Sequence, residues 1–317
     1  MPAISDFLKH YFQKAKPKPP PISTGTAAAL LVLYTFSYVV PFYLSSTTRP
    51  SRTLTRDAPS VIRARITLVS LTCVACSLTT LAILTSQGRA TYGEALRTMG
   101  YWPFGLPEAA KSLLLTAILF SGPLYETLVV DGEWRRWLSL EPTKELFTGW
   151  IRWRNIIAGP LTEEVLFRSA SVPLMLVAQT SVPRTIFLSP VIFGLAHFHH
   201  FYEFRLTHPQ EPVSTALIRS LFQLSYTSLF GAYATFLFLR TGSLLAIFVV
   251  HAFCNIMGLP RLWGRVEPPS DPGVTAPKAS VLWSVAYYVS LVGGAVGFWR
   301  NLGALTASDN ALVAIDM

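Results

Sequence analysis

The chain has 317 residues, of which 51% are hydrophobic and only 14% charged, and its formal net charge is +9. Soluble domains carry about 25% charged residues, so the composition excludes an ordinary soluble enzyme and predicts an all-α, polytopic transmembrane bundle. On such a protein basic loops set orientation, and the charge gives no reason to invoke a nucleic acid; the bilayer itself is the implied partner.

Residues 1–24 read as an arm that lacks the basic, apolar and small-residue order of a cleavable signal peptide. Phe7, Leu8, Tyr11 and Phe12 share one helical face beside Lys9, Lys14 and Lys16. That pattern suits an interfacial helix, and a solvated tail is the plainer alternative; a proline-rich link from Pro17 to Pro21 follows. Eight apolar segments come next, near 25–45, 66–85, 112–130, 155–178, 184–201, 214–239, 243–260 and 279–299. A bilayer takes about 20 residues per span, and the fifth segment is short enough to be tilted. The longest polar stretches are loops, so residues 25–317 are predicted to form a single membrane-embedded domain.

Alternating the spans puts ten Lys and Arg on the side of the termini and fifteen on the other, which assigns the second side to the cytosol. A re-entrant segment around Tyr101–Pro107 would upset that alternation.

Three polar clusters interrupt the apolar segments: Glu163 and Glu164 with Arg168, His197 after Phe193, and His251 with Asn255. Ionisable groups are costly in hydrocarbon and normally face a cavity or a pathway. With spans alternating, all three clusters fall within about 15 Å of the basic face at 1.5 Å per residue. Glu164 and Arg168 are four residues apart, placed to pair on one helical face, which leaves Glu163 to point elsewhere. We therefore read Glu164–Arg168 as a supporting ion pair and Glu163 as the working base. His251 and Asn255 also share a face, where two side-by-side donors suit a developing oxyanion. Each cluster has a plainer alternative in packing or interhelical hydrogen bonding. His199 and His200 fall at the membrane edge, and Glu126 at the end of the third segment. Cys73 and Cys76 form a CxxC inside an apolar helix without the context of a redox motif. Cys254 as a thiolate nucleophile is a minor alternative. No HExxH, P-loop or GxSxG occurs.

The segments GPLTEEVLFRSA (159–170), FGLAHFHH (193–200) and RTGSLLAIFVVHAFCNIMGLP (240–260) carry EExxxR, FxxxH and HxxxN in that order. In these the chain resembles the CAAX prenyl endopeptidases of the Ras-converting type, within the CPBP family of intramembrane glutamate proteases, over roughly 111–261. The resemblance implies proteolysis of prenylated CaaX-box proteins such as small GTPases, with release of the aaX tripeptide at the endoplasmic reticulum membrane. It further implies that Glu163 and His197 activate water, that His251 and Asn255 stabilise the oxyanion, and that no metal or other cofactor is used. Other classes stay open from the residues alone. Glu163, His197 and His251 would make a zinc set with water in the fourth position. A non-catalytic scaffold of the same fold, or a proton-coupled transporter, would also retain these residues.

Overall fold

The computed structural model describes residues 19–269 and 280–315, and the amphipathic face of the N-terminal arm lies outside them. The described residues are helices and connecting loops without a strand. In chain order the principal helices are α1 (Thr24–Val39), α2 (Pro59–Ser86), α3 (Leu106–Leu119), α4 (Gly159–Glu164), α5 (Val182–Ala196), α6 (His199–Thr207), α7 (Val213–Thr241), α8 (Leu244–Met257) and α9 (Val281–Thr306).

Three stretches among the described residues are long and apolar enough to cross a membrane: Thr24–Leu44, Pro59–Ser86 and Val281–Thr306. A fourth arises if α3 and the following Ser121–Val130 count as one span, but they meet at a 79° bend. α8 is apolar but too short to cross straight through, and the 150–177 region is a succession of short helical pieces. Each predicted segment thus contains helix, but among the described residues fewer than eight are uninterrupted helices long and apolar enough to cross. Large apolar side chains point outward along these helices, among them Leu78 at 60% exposure, Leu282 at 74% and Trp299 at 76%. On a multi-pass membrane protein these are the surfaces that lipid covers.

Local signals set the helix ends near the site. Ser243 caps α8 by accepting from the Ala246 N–H, satisfying one of the free donors of a first turn. α7 stops at Gly242, whose φ of +58° is the left-handed conformation that favours glycine. Its residues pack along α5 through two further glycines. A Cβ at Gly194 would lie 2.5 Å from Leu224 Cδ1, and one at Gly231 would lie 2.7 Å from Pro190 Cβ. Small residues allow this close approach, which brings the end of α5 against the middle of α7.

α1 and α2 buttress α4 and the turns that follow it. Tyr34 Oη lies 2.9 Å from Thr80 Oγ1, which donates to the Ala170 carbonyl at 2.8 Å. Cys73 Sγ donates to the Thr162 carbonyl at 3.2 Å. Cys73 and Cys76 are free thiols buried in the core beside Tyr34 and Phe167, where they serve as small packing residues. At the opposite end of α7 the C-terminal segment is tied down: Arg240 donates to the Ile315 and Gly303 carbonyls, and Leu312 N–H to the Leu239 carbonyl.

Candidate active site

α4 carries the paired glutamates between two π-helical stretches, Arg154–Ala158 and Val165–Ala170. The first wide turn has a local cause. Pro160 has no N–H to donate, and Gly159 reaches back five residues to the Arg154 carbonyl. Such turns recur at functional sites.

Glu164 is fully buried and Arg168 nearly so. Arg168 Nη1 donates to Glu164 Oε1 at 3.1 Å, the ion pair read from the spacing. The guanidinium sits over two aromatic faces, 5.3 Å from the Phe193 centroid and 5.9 Å from that of Phe230, and such contacts strengthen when desolvated. Glu164 Oε1 also lies 2.6 Å from His251 Nδ1. An ionised carboxylate only accepts, so His251 donates from Nδ1, and its ring orientation is fixed. Its Nε2 then faces Glu163, with Oε2 3.9 Å away. The His251 ring packs against Phe230 at 4.5 Å between centroids.

His197 ends α5 and packs edge-on to Phe193 at 4.8 Å. Its Nδ1 is buried without a hydrogen-bond partner among the described residues. Asn255, one turn beyond His251 on α8, donates from Nδ2 to the Asn155 carbonyl at 2.8 Å. That bond uses one of the two amide hydrogens and leaves the other without a partner among the described residues. Asn155 was not visible as a site residue in the sequence, because the contact runs through its backbone across 100 positions.

Two cavities meet at these residues. One, of about 430 Å³ and the more polar of the two, is lined by Arg56, Arg65, Arg154 and His200 together with Phe42, Ile66 and Val69. The other, of about 810 Å³, is lined by Phe187, Leu229, Phe236 and Phe298. Glu163, His197 and Asn255 line both, and His251 lines the apolar one. The structure thus gathers Glu163, Glu164, Arg168, His197, His251 and Asn255, which come from three separated stretches of chain.

The remaining polar residues serve elsewhere. Glu126 accepts from Arg261 Nη2 at 2.7 Å. His200 pairs with Glu203, and Glu203 accepts from Arg65 Nη2 at 2.7 Å. Among the described residues, the trio whose metal-ligand atoms all lie within 4.8 Å of one another is His199, His200 and Glu203 rather than Glu163, His197 and His251. Arg65 already neutralises the Glu203 carboxylate in that trio.

A match to the family described as "Type II CAAX prenyl endopeptidase Rce1-like" covers residues 145–257, which include Glu163, Glu164, Arg168, His197, His251 and Asn255. The chain is 43% identical over 271 residues to a probable CAAX prenyl protease 2 of Schizosaccharomyces pombe, covering 85% of this chain and 90% of that one. It is 36% identical over 252 residues to CAAX prenyl protease 2 of Homo sapiens, covering 74% and 70%. The Saccharomyces cerevisiae protein of the same name is 28% identical over 313 residues, covering 90% and 98%. No solved structure matches.

Proposed function

The chain belongs to the Rce1-like type II CAAX prenyl endopeptidases, and from that premise we propose that Glu163, His197, His251 and Asn255 form its hydrolytic centre, acting without a metal. The observation that carries the reading is the meeting of an apolar and a polar cavity at Glu163, His197 and Asn255. A prenylated CaaX terminus has the same two-part character, an isoprenoid beside a short peptide.

Glu163 and His197 bind a water between them, and Glu163 takes its proton as the oxygen attacks the carbonyl carbon of the prenylcysteine. The carbonyl π bond opens to an oxyanion, which accepts from the free Asn255 amide hydrogen and from His251 Nε2. Because Nδ1 already donates to Glu164, donation to the oxyanion requires a hydrogen on His251 Nε2 as well. Collapse breaks the C–N bond, and the proton held by Glu163 passes to the leaving amine. The products are a prenylcysteine carboxylate and the aaX tripeptide. Preorganised donors at a developing charge are usually the largest catalytic contribution.

The substrates in this reading are prenylated CaaX proteins such as small GTPases. The protein sits in the endoplasmic reticulum membrane, and the basic loops bordering the polar cavity face the cytosol, from which a C-terminal peptide arrives. The test is cleavage of a farnesylated CaaX peptide by purified protein, read by mass spectrometry with and without a zinc chelator. Release of intact aaX, insensitive to chelation and absent for the unprenylated peptide, is the expected result. Loss of activity on chelation, restored by zinc, would refute the metal-free centre.

A further inference from the structure

The polar cavity has a basic wall that the hydrolytic step leaves unused. Arg56, Arg65 and Arg154 line it, and Glu163 is the one carboxylate lining it among the described residues. The carboxylates that reach these arginines from behind are Asp57 and Glu203. Asp57 and Glu203 thus pair with the three guanidiniums away from the cavity, and Glu163 is the carboxylate that shares the cavity with them.

The arginines differ in how far they are committed. Arg65 gives Nε and Nη2 to the Thr48 carbonyl and Nη2 also to Glu203, and it stacks over Phe42. It is a structural member of the wall. Arg154 donates from Nε to Asn155 Oδ1 at 2.9 Å and from Nη1 to Asp57 Oδ1 at 2.8 Å. Those bonds fix the plane of its guanidinium, and Nη2 has no partner among the described residues. Arg56 stands 3.7 Å from Glu203 and 3.9 Å from Asp57, beyond hydrogen-bonding distance, and is half-exposed. Arg154 also neighbours Asn155, whose carbonyl holds Asn255. The free donors therefore lie in the cavity that begins at the oxyanion site.

An aaX tripeptide carries one charge of its own at this end, the α-carboxylate of its last residue. Fully extended, three residues reach about 10–11 Å, so that carboxylate stays local to the site. We propose that Arg154, with Arg56 beside it, binds the free α-carboxylate of the substrate, so that the polar cavity measures three residues back from the chain terminus. The inference rests on the prenyl-endopeptidase reading above. The Nη2 of Arg154 and the guanidinium of Arg56 supply charge-assisted donors suited to a carboxylate.

The experiment compares kcat/KM for one farnesylated CaaX peptide carrying a free C-terminal carboxylate with the same peptide carrying a C-terminal amide. Purified wild type, Arg154→Gln, Arg154→Lys, Arg56→Gln and the control Arg52→Gln are each assayed on both. The wild type is expected to prefer the acid by about tenfold or more, the scale of a charge-assisted hydrogen bond. Arg154→Gln should bring the ratio to within about twofold by losing rate on the acid alone, Arg154→Lys should retain part of it, and Arg52→Gln should keep it. Taking the ratio within each variant cancels any loss of folded enzyme, and if Arg154→Gln cannot be purified, Arg56→Gln must narrow the ratio. Equal cleavage of acid and amide by the wild type, or an unchanged ratio in Arg154→Gln, would overturn the proposal while leaving the peptidase reading intact. Failure of the wild type to cleave the acid peptide at all would remove both.

Discussion

His251 Nδ1 lies 2.6 Å from the Glu164 oxygen that Arg168 also contacts at 3.1 Å. One buried oxygen thereby holds two helices in register, and it turns His251 Nε2 toward Glu163. Glu164 thus contacts Arg168 and His251 together, while Glu163, on the adjacent helical position, faces the cavities.

Glu164→Gln removes the charge that both Arg168 and His251 rely on. Breaking a buried pair costs about 3–5 kcal/mol, so a fall in Tm together with a fall in kcat/KM is expected, and Arg168→Ala should do the same. Thermal unfolding beside peptide cleavage checks this. A Glu164→Gln protein with wild-type Tm but no activity would exchange the roles given to the two carboxylates.

Asn255→Ala should lower kcat by about 10²–10³ with KM little changed, the cost of one oxyanion donor. Asn255→Asp substitutes acceptors for donors and should do no better. Steady-state kinetics separate the two parameters, and a rise in KM with kcat unchanged would assign Asn255 to ground-state binding instead. Zinc content measured in wild type and His251→Ala tests the rival ligand role: stoichiometric metal in the first that disappears in the second would contradict this centre.

The sequence spacing carried much of the site and little of its wiring. The four-residue interval of Glu164 and Arg168 is a local property of helix geometry, and the pair forms as that geometry dictates. The interval of His251 and Asn255 fixed their common face in the same way. The partner of each depended on tertiary packing: Glu164 for His251 is 87 residues away, and Asn155 for Asn255 is 100. The Arg65–Glu203 pair spans 138 residues and carries no local signature. Hydropathy located the helical segments, but it averages over a window. It could not resolve the 79° bend after Leu119 or the two wide turns flanking α4.

Gly231 tests the packing that brings α5 to the site. An added Cβ would meet Pro190 Cβ at 2.7 Å and Arg168 Nη2 at 3.1 Å, and overpacking costs about 1–3 kcal/mol. Gly231→Ala should therefore lower both Tm and activity. Gly93→Ala, in the helix Tyr92–Thr98 with nothing within 4 Å of the new Cβ, should leave both at or slightly above wild type. Equal behaviour of the two variants would show that the α5–α7 approach is not constrained at this point.

Glu203 lies on α6, a polar helix in the connection between α5 and α7. Burial alone would raise its carboxyl, but His200 and Arg65 hold it well below the ordinary carboxylate range. A group depressed in the folded state contributes stability that is fully present above its unfolded pKa, about 4.3, and is lost as pH falls toward the folded value. Glu203→Gln should thus lower Tm at pH 7, with the deficit shrinking as pH drops below about 4. A deficit that stays constant over that range would mean that packing rather than charge accounts for it.

The most direct test of the hydrolytic centre is Glu163→Gln, which keeps size and hydrogen-bonding capacity but removes the basic carboxylate. Single-turnover cleavage of a farnesylated CaaX peptide by the purified variant, matched to wild type in Tm, should slow by at least about a hundredfold, the scale of general-base catalysis. Cleavage at near the wild-type rate would contradict the assignment of Glu163 as the group that activates water.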